Sequence, residues 1–228
     1  MKSKNVIMSL AVCVLLVGTA AFAAAPAAIT AWTVQPGLWP TGFESQMGGA
    51  ALSGDYLYYC GGNNGTDGDT AKTWIFSINS VTGALSTPSA GPDLPTAANY
   101  AYNYGQTLAT TTTVYIVGGG YNTLGPNRNN VTFNTGANTG VLQSTWTESA
   151  TFPGGYDPEL SSAVFASNGY LYSMGGDSQT GALWNTVVYA QVNPNGTLGT
   201  HTAGTSLPRA WYFTDAVTMV TTSSRMRA

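Results

Sequence analysis

Positive charge is what this chain has least of. Lys and Arg number seven in 228 residues, with Lys2 and Lys4 at the start and Arg225 and Arg227 at the end. Only Lys72, Arg128 and Arg209 remain for everything between. Binding a nucleic-acid backbone depends on clustered Lys and Arg, so that class of partner is excluded. Histidine is single, His201, and without a second histidine a zinc or copper site has too few ligands. Phosphate-binding loops and nucleophile elbows are missing. Sustained i, i+3, i+4 apolar spacing is absent after Ala23, which excludes long amphipathic helices and leaves an all-β chain. Charged residues total 7%, while 28 glycines and many Ser, Thr and Asn are present, so the exterior is neutral and polar.

The one long apolar run is N-terminal. Residues 6–20 (VIMSLAVCVLLVGTA) follow a short basic head and lead into Ala21-Phe22-Ala23, the small-x-small pattern of a signal peptide cleaved after residue 23. A membrane-spanning helix needs about 20 apolar residues, more than this stretch supplies, so no transmembrane anchor is expected after cleavage. A lipid anchor at Cys13 is disfavoured by the bulky Val12 before it. Cleavage leaves five basic and ten acidic residues, a formal charge of −5, and one cysteine, Cys60. A lone thiol makes no internal disulfide, and Cys60 reads as a small buried hydrophobe.

What is present is a repeat. Tyr58-Tyr59-Cys60-Gly61-Gly62, Tyr115-Ile116-Val117-Gly118-Gly119 and Tyr172-Ser173-Met174-Gly175-Gly176 follow one another at equal intervals, and such a period sets architecture before any single residue is read. Two further landmarks keep the order: Gly83-Ala84-Leu85, Gly140-Val141-Leu142 and Gly196-Thr197-Leu198, then Leu94-Pro95, Phe152-Pro153 and Leu207-Pro208. Between them lie short β-branched and aromatic runs bounded by turn residues. In the third copy the strands are expected near 160–167, 170–175, 186–192 and 198–206, with Asn168-Gly169 as a hairpin turn. Gly54-Asp55 and the Thr-rich stretch 110–113 hold that place in the other copies. Four antiparallel strands per unit make one blade of a β-propeller; a β-sandwich is the alternative, although sandwiches seldom keep a sequence period.

These residues resemble the kelch repeat family, in a secreted bacterial form. The family signature is an apolar strand ending in Gly-Gly, an aromatic on the next strand, then Trp and Leu-Pro. The glycine pairs match, with Trp74, Phe133 and Tyr189 as rough aromatic counterparts. The Trp occurs only as Trp146, its place taken by Ser89 and His201 in the other copies, where His201 would pack between blades. The period, about 57 residues, also exceeds the family's usual repeat of about 50. The resemblance covers residues 45–220 and implies a kelch-like propeller whose loop face binds partners.

The organisation expected is a signal peptide at 1–23, an N-terminal segment with a partial blade strand at 24–44, and repeats over 45–222. These divide at about 45–97, 98–156 and 157–212, with the start of a fourth copy to 222 and an out-of-register tail at 223–228. A propeller needs at least four blades. Three plus fragments therefore imply either an apparently truncated piece of a longer protein or self-association that completes the ring.

The candidate binding surface is the loop face, formed by the connections near 63–72, 120–129 and 177–185 and the inter-blade loops near 96–103, 153–159 and 208–214. It carries Tyr100, Tyr102, Tyr121, Arg128, Tyr156, Asp157, Glu159, Trp184, Arg209, Trp211 and Tyr212. Aromatic faces with a few polar anchors suit sugars or peptide side chains; packing between blades is the competing role for each ring. The loop at 63–69 offers Asp67 and Asp69 as calcium ligands but lacks the EF-hand spacing, so no metal and no cofactor is expected. Asp157 and Glu159 form the one carboxylate pair suited to acid–base work, and a sialidase-like site would want clustered arginines. The function expected is recognition of a protein or glycan outside the cytoplasm without catalysis; the alternative is a fragment of a carbohydrate-active propeller enzyme of epimerase or oxidase type.

Overall fold

A computed structural model describes residues 48–62, 70–95, 105–119, 130–156, 159, 161–165, 168–177 and 181–211. These form three four-stranded antiparallel sheets, each with its strands in chain order. The first contains β1 (Gly49–Ser53), β2 (Tyr56–Cys60), β3 (Thr73–Ser77) and β4 (Ser89–Ala90). The second contains β5 (Gln106–Ala109), β6 (Thr113–Val117), β7 (Val131–Thr135) and β8 (Thr147–Glu148). The third contains β9 (Ser162–Phe165), β10 (Tyr170–Met174), β11 (Val187–Gln191) and β12 (Thr202–Ala203). The described residues contain no α-helix, only 3₁₀ turns at Ala137–Thr139 and Pro153–Gly155, and no helix long and apolar enough to cross a membrane.

The first strands of the sheets run beside one another, β1 against β5 and β5 against β9. That approach is close enough that a Cβ on Gly49 would overlap Thr107 Oγ1. Two apolar cores result. Tyr58, Cys60, Ile75 and Leu94 of the first unit pack on Val114, Ile116, Leu142 and Trp146 of the second. Tyr115, Val117, Phe133 and Phe152 of the second pack on Ala163, Leu171 and Val188 of the third. Strand alternation explains the division, because successive side chains point to opposite faces. Every residue of β6 is buried; its even positions serve one core and its odd positions the other.

The repeated tyrosine has a repeated task. Tyr58 Oη donates to Ala137 O at 2.6 Å and Tyr115 Oη donates to Gly196 O at 2.8 Å, each reaching the next sheet's hairpin. Burial pushes the Tyr58 hydroxyl up to about 12 and raises that of Tyr115. Burial also pushes the Cys60 thiol up to about 12, so Cys60 is an inert core residue, since the thiolate is the reactive form. The glycine pairs adopt φ of 67° and 104°, 64° and 107°, and 69° and 99°, a left-handed conformation that side chains with a Cβ disfavour. Their three copies are therefore one backbone device.

Pairing register corrects two sequence-based equivalences. Tyr58 lies opposite Ile75, Tyr115 opposite Phe133 and Tyr172 opposite Tyr189. Ile75, not Trp74, is thus the counterpart of Phe133 and Tyr189; Trp74 belongs to the other face of β3. Likewise Ser89, Thr147 and Thr202 pair with those three residues, which makes Pro88 the equivalent of Trp146 and His201. The expected last strand is also shorter than 198–206, because only Thr202–Ala203 keep a continuous ladder; of the strand expected at 160–167, Ser162–Phe165 is seen as β9 and residues 160, 166 and 167 lie outside the described residues.

His201 is buried in the inter-sheet core, edge-on to Phe152 with ring centroids 4.7 Å apart. Its Nε2 lies 2.9 Å from Ser149 Oγ. Ser149 Oγ donates to Ala150 O and accepts from Val131 N–H, so the tautomer protonated at Nε2 fits those contacts. Burial lowers the His201 pKa. An unfolded histidine takes up its proton near pH 6.5 while the folded one resists, so unfolding gains protons and stability falls as pH drops through that range. The melting temperature is expected to decline from pH 7.5 to pH 5, and His201→Gln, which keeps a donor but cannot titrate, is expected to flatten that limb in a pH series of thermal melts.

Candidate functional site

The glycine pair at the end of each second strand turns the chain into the loop that joins it to the third. In the third sheet this region is described well enough to build a site. Gly175 N–H donates to Thr186 O, Gly176 N–H to Trp211 O at 2.6 Å, Trp184 N–H to Gly176 O at 2.9 Å and Trp211 N–H to Trp184 O at 3.2 Å. Asp177 and Glu159 exchange both backbone bonds, at 2.7 and 3.2 Å, and Asp177 also bridges to Leu183. One backbone lattice therefore gathers Glu159, Asp177, Trp184 and Trp211 from three separate segments.

Their exposures differ. Trp211 is 52% exposed, Asp177 and Trp184 are half-buried, and Glu159 is buried. The Trp184 ring stands edge-on to Tyr156 at 5.8 Å. Asp177 Oδ1 and Trp184 Nε1 are buried atoms with no hydrogen-bond partner. Unmet polar capacity of this kind is rare in folded proteins and calls for an explanation.

Two residues expected on the binding surface lie inside instead. Tyr156 is 1% exposed and donates its hydroxyl proton to Gly175 O at 2.7 Å, with Ser173 Oγ at 3.2 Å; it fastens the glycine turn from within the inter-sheet core. Glu159 is 2% exposed, and its backbone forms an antiparallel bridge with Asp177. Arg209 is exposed, and Lys72 on the first unit is tied to Asp93 at 2.6 Å. Tyr100, Tyr102, Tyr121, Arg128, Asp157 and Tyr212, and the calcium-loop candidates Asp67 and Asp69, lie outside the described residues. Among the described residues no group of three or more His, Cys, Asp or Glu could hold a metal ion. Asp177 escaped sequence reasoning, although its place directly after Gly175-Gly176 marked it as the first residue of the loop.

No protein-family model and no curated protein matches the chain. Its fold is similar to that of a solved structure, described as the structure of YjhT, with a TM-score of 0.51 at 12% sequence identity. The match covers 72% of this chain and 53% of YjhT, so the chain spans about half the length of that protein. The likeness is one of fold.

Proposed function

We propose that this chain is a secreted or periplasmic kelch-like β-propeller module that recognises a glycan or protein through the loop face and catalyses nothing itself. In this reading each four-stranded sheet is a blade, and residues 1–23 are a signal peptide that delivers the chain across the inner membrane. The observation that supports this reading is the cluster at the end of the third sheet, where an exposed indole, Trp211, stands on the same backbone lattice as Asp177 and Trp184. A sugar ring offers an apolar face to an exposed indole and hydroxyls to the polar groups around it, which suits this reading.

The test is a glycan array together with a pull-down from cell-envelope extract, using the wild-type chain, Trp211→Ala and Asp177→Asn. Trp211→Ala is expected to weaken binding about tenfold or more, as loss of a central aromatic contact does, with an unchanged melting temperature because its side chain is exposed. Absence of binding in both assays, or binding that neither variant weakens, would overturn the reading.

A further inference from the structure

Within the chain, one sheet is joined to the next twice by a bond from a repeat tyrosine to the following hairpin. The donor side supplies the repeat tyrosine: Tyr58 bonds Ala137 O and Tyr115 bonds Gly196 O, at 2.6 and 2.8 Å. The acceptor side supplies the glycine of the following hairpin. Gly140 sits so close to the Tyr56 ring, and Gly196 so close to the Thr113 side chain, that a Cβ at either would overlap them. Tyr56 and Thr113 are equivalent positions, each two places before its repeat tyrosine.

Both halves of this contact occur a third time, and there they are separated. The donor half is Tyr170 and Tyr172 on β10, equivalent to Tyr56 and Tyr58 of the first sheet. These rings are half-buried and gathered with Tyr189, at 5.8 Å from Tyr170 and 5.6 Å from Tyr172. Among the described residues, Asn168 Nδ2 donates to Tyr172 Oη at 3.4 Å. The acceptor half is Gly83 in the hairpin of the first sheet, equivalent to Gly140 and Gly196. Nothing lies within 4 Å of where its Cβ would be, and neighbouring Val81 is 91% exposed. That turn is already set in shape: Gly83 N–H donates to Asn79 O at 2.7 Å, and Asn79 Oδ1 accepts from Val81 N–H and Thr82 N–H. One part of the internal joint is missing, since Pro88 cannot reproduce the Trp146 Nε1 bond to Pro92 O or the His201 contact with Ser149.

We infer that the Tyr170–Tyr172 face of the third sheet docks the Gly83 hairpin of a second copy of this chain, head to tail, repeating between chains the contact that joins sheets within one. Of the three described sheets, the third carries the donor half and the first the acceptor half, and both halves match partners already in place between neighbouring sheets. Neither half carries a charge, so association meets no like-charge repulsion. Because the contact joins two different surfaces, it is heterologous and propagates from copy to copy until the ends meet.

Molar mass by light scattering after size exclusion tests this on residues 24–228, the chain left after leader cleavage, at micromolar concentration. The wild type is expected at a multiple of the chain mass. Tyr172→Asp, which puts a charge on one face, and Gly83→Asn, which fills the slot with a residue that tolerates positive φ, are each expected at the mass of one chain, the exposed Gly83→Asn with an unchanged melt. Mixing the two variants leaves one intact joint per pair and is expected to restore a two-chain species. A monomeric wild type, as expected if these faces serve further repeats of a longer polypeptide, would overturn the inference, and so would an oligomer that both variants leave intact.

Discussion

Tyr115→Ala is expected to lower the unfolding free energy by about 3–5 kcal/mol, the range for emptying a large aromatic site in a core. Tyr115 is fully buried between the second and third sheets, with its ring 6.0 Å from that of Phe133. Its hydroxyl is the link to Gly196 O. Against a total stability of about 5–15 kcal/mol for a domain, such a loss separates the sheets or leaves the fold marginal. Tyr115→Phe divides the effect: the ring stays, the hydroxyl goes, and the buried Gly196 carbonyl loses its partner at a cost of about 1–3 kcal/mol. Urea denaturation of the three proteins measures both steps. A Tyr115→Ala midpoint within error of wild type would mean that the sheets do not depend on this core.

The second large effect is expected at Gly176. Alanine there meets two costs at once. Its φ of 99° is strained for any residue with a Cβ, and the new atom would lie 2.5 Å from Glu159 O, which is backbone and cannot swing aside. Gly169 isolates the first cost, since its φ is 84° and nothing lies within 4 Å of a Cβ. Gly169→Ala is expected to cost about 1–2 kcal/mol from backbone strain alone, whereas Gly176→Ala is expected to cost clearly more and to disturb the Glu159–Asp177 bridge. Thermal melts of the pair decide it. Equal destabilisation would show that positive φ, and not close approach, is why glycine stands at that point. Loss of loop-face binding in Gly176→Ala but not in Gly169→Ala would tie the glycine turn to the site.

Asp177 shows how far the candidate site could be read in advance. Its position after the glycine pair was legible, but the pairing that joins it to Glu159 and the orphaned state of its Oδ1 arise from segments well separated along the chain. Trp184 and Trp211 were legible as loop aromatics. Tyr156 was read as one of them and is instead a core residue, because burial depends on which sheet closes over a side chain.

The period, the turns and the all-β class of the described residues were already written in the chain. These features rest on local chemistry: glycine where φ is positive, β-branched and aromatic residues in extended runs, and a constant interval that repeats both. Strand register and the division of each strand between two cores came instead from the packing of sheet on sheet. A shift of one residue exchanges the two faces of a strand, and in β3 that is the difference between Trp74 and Ile75 as the partner of Tyr58. Such choices are settled by contacts between successive repeat units, where shape complementarity across the whole interface outweighs any preference written in a single segment.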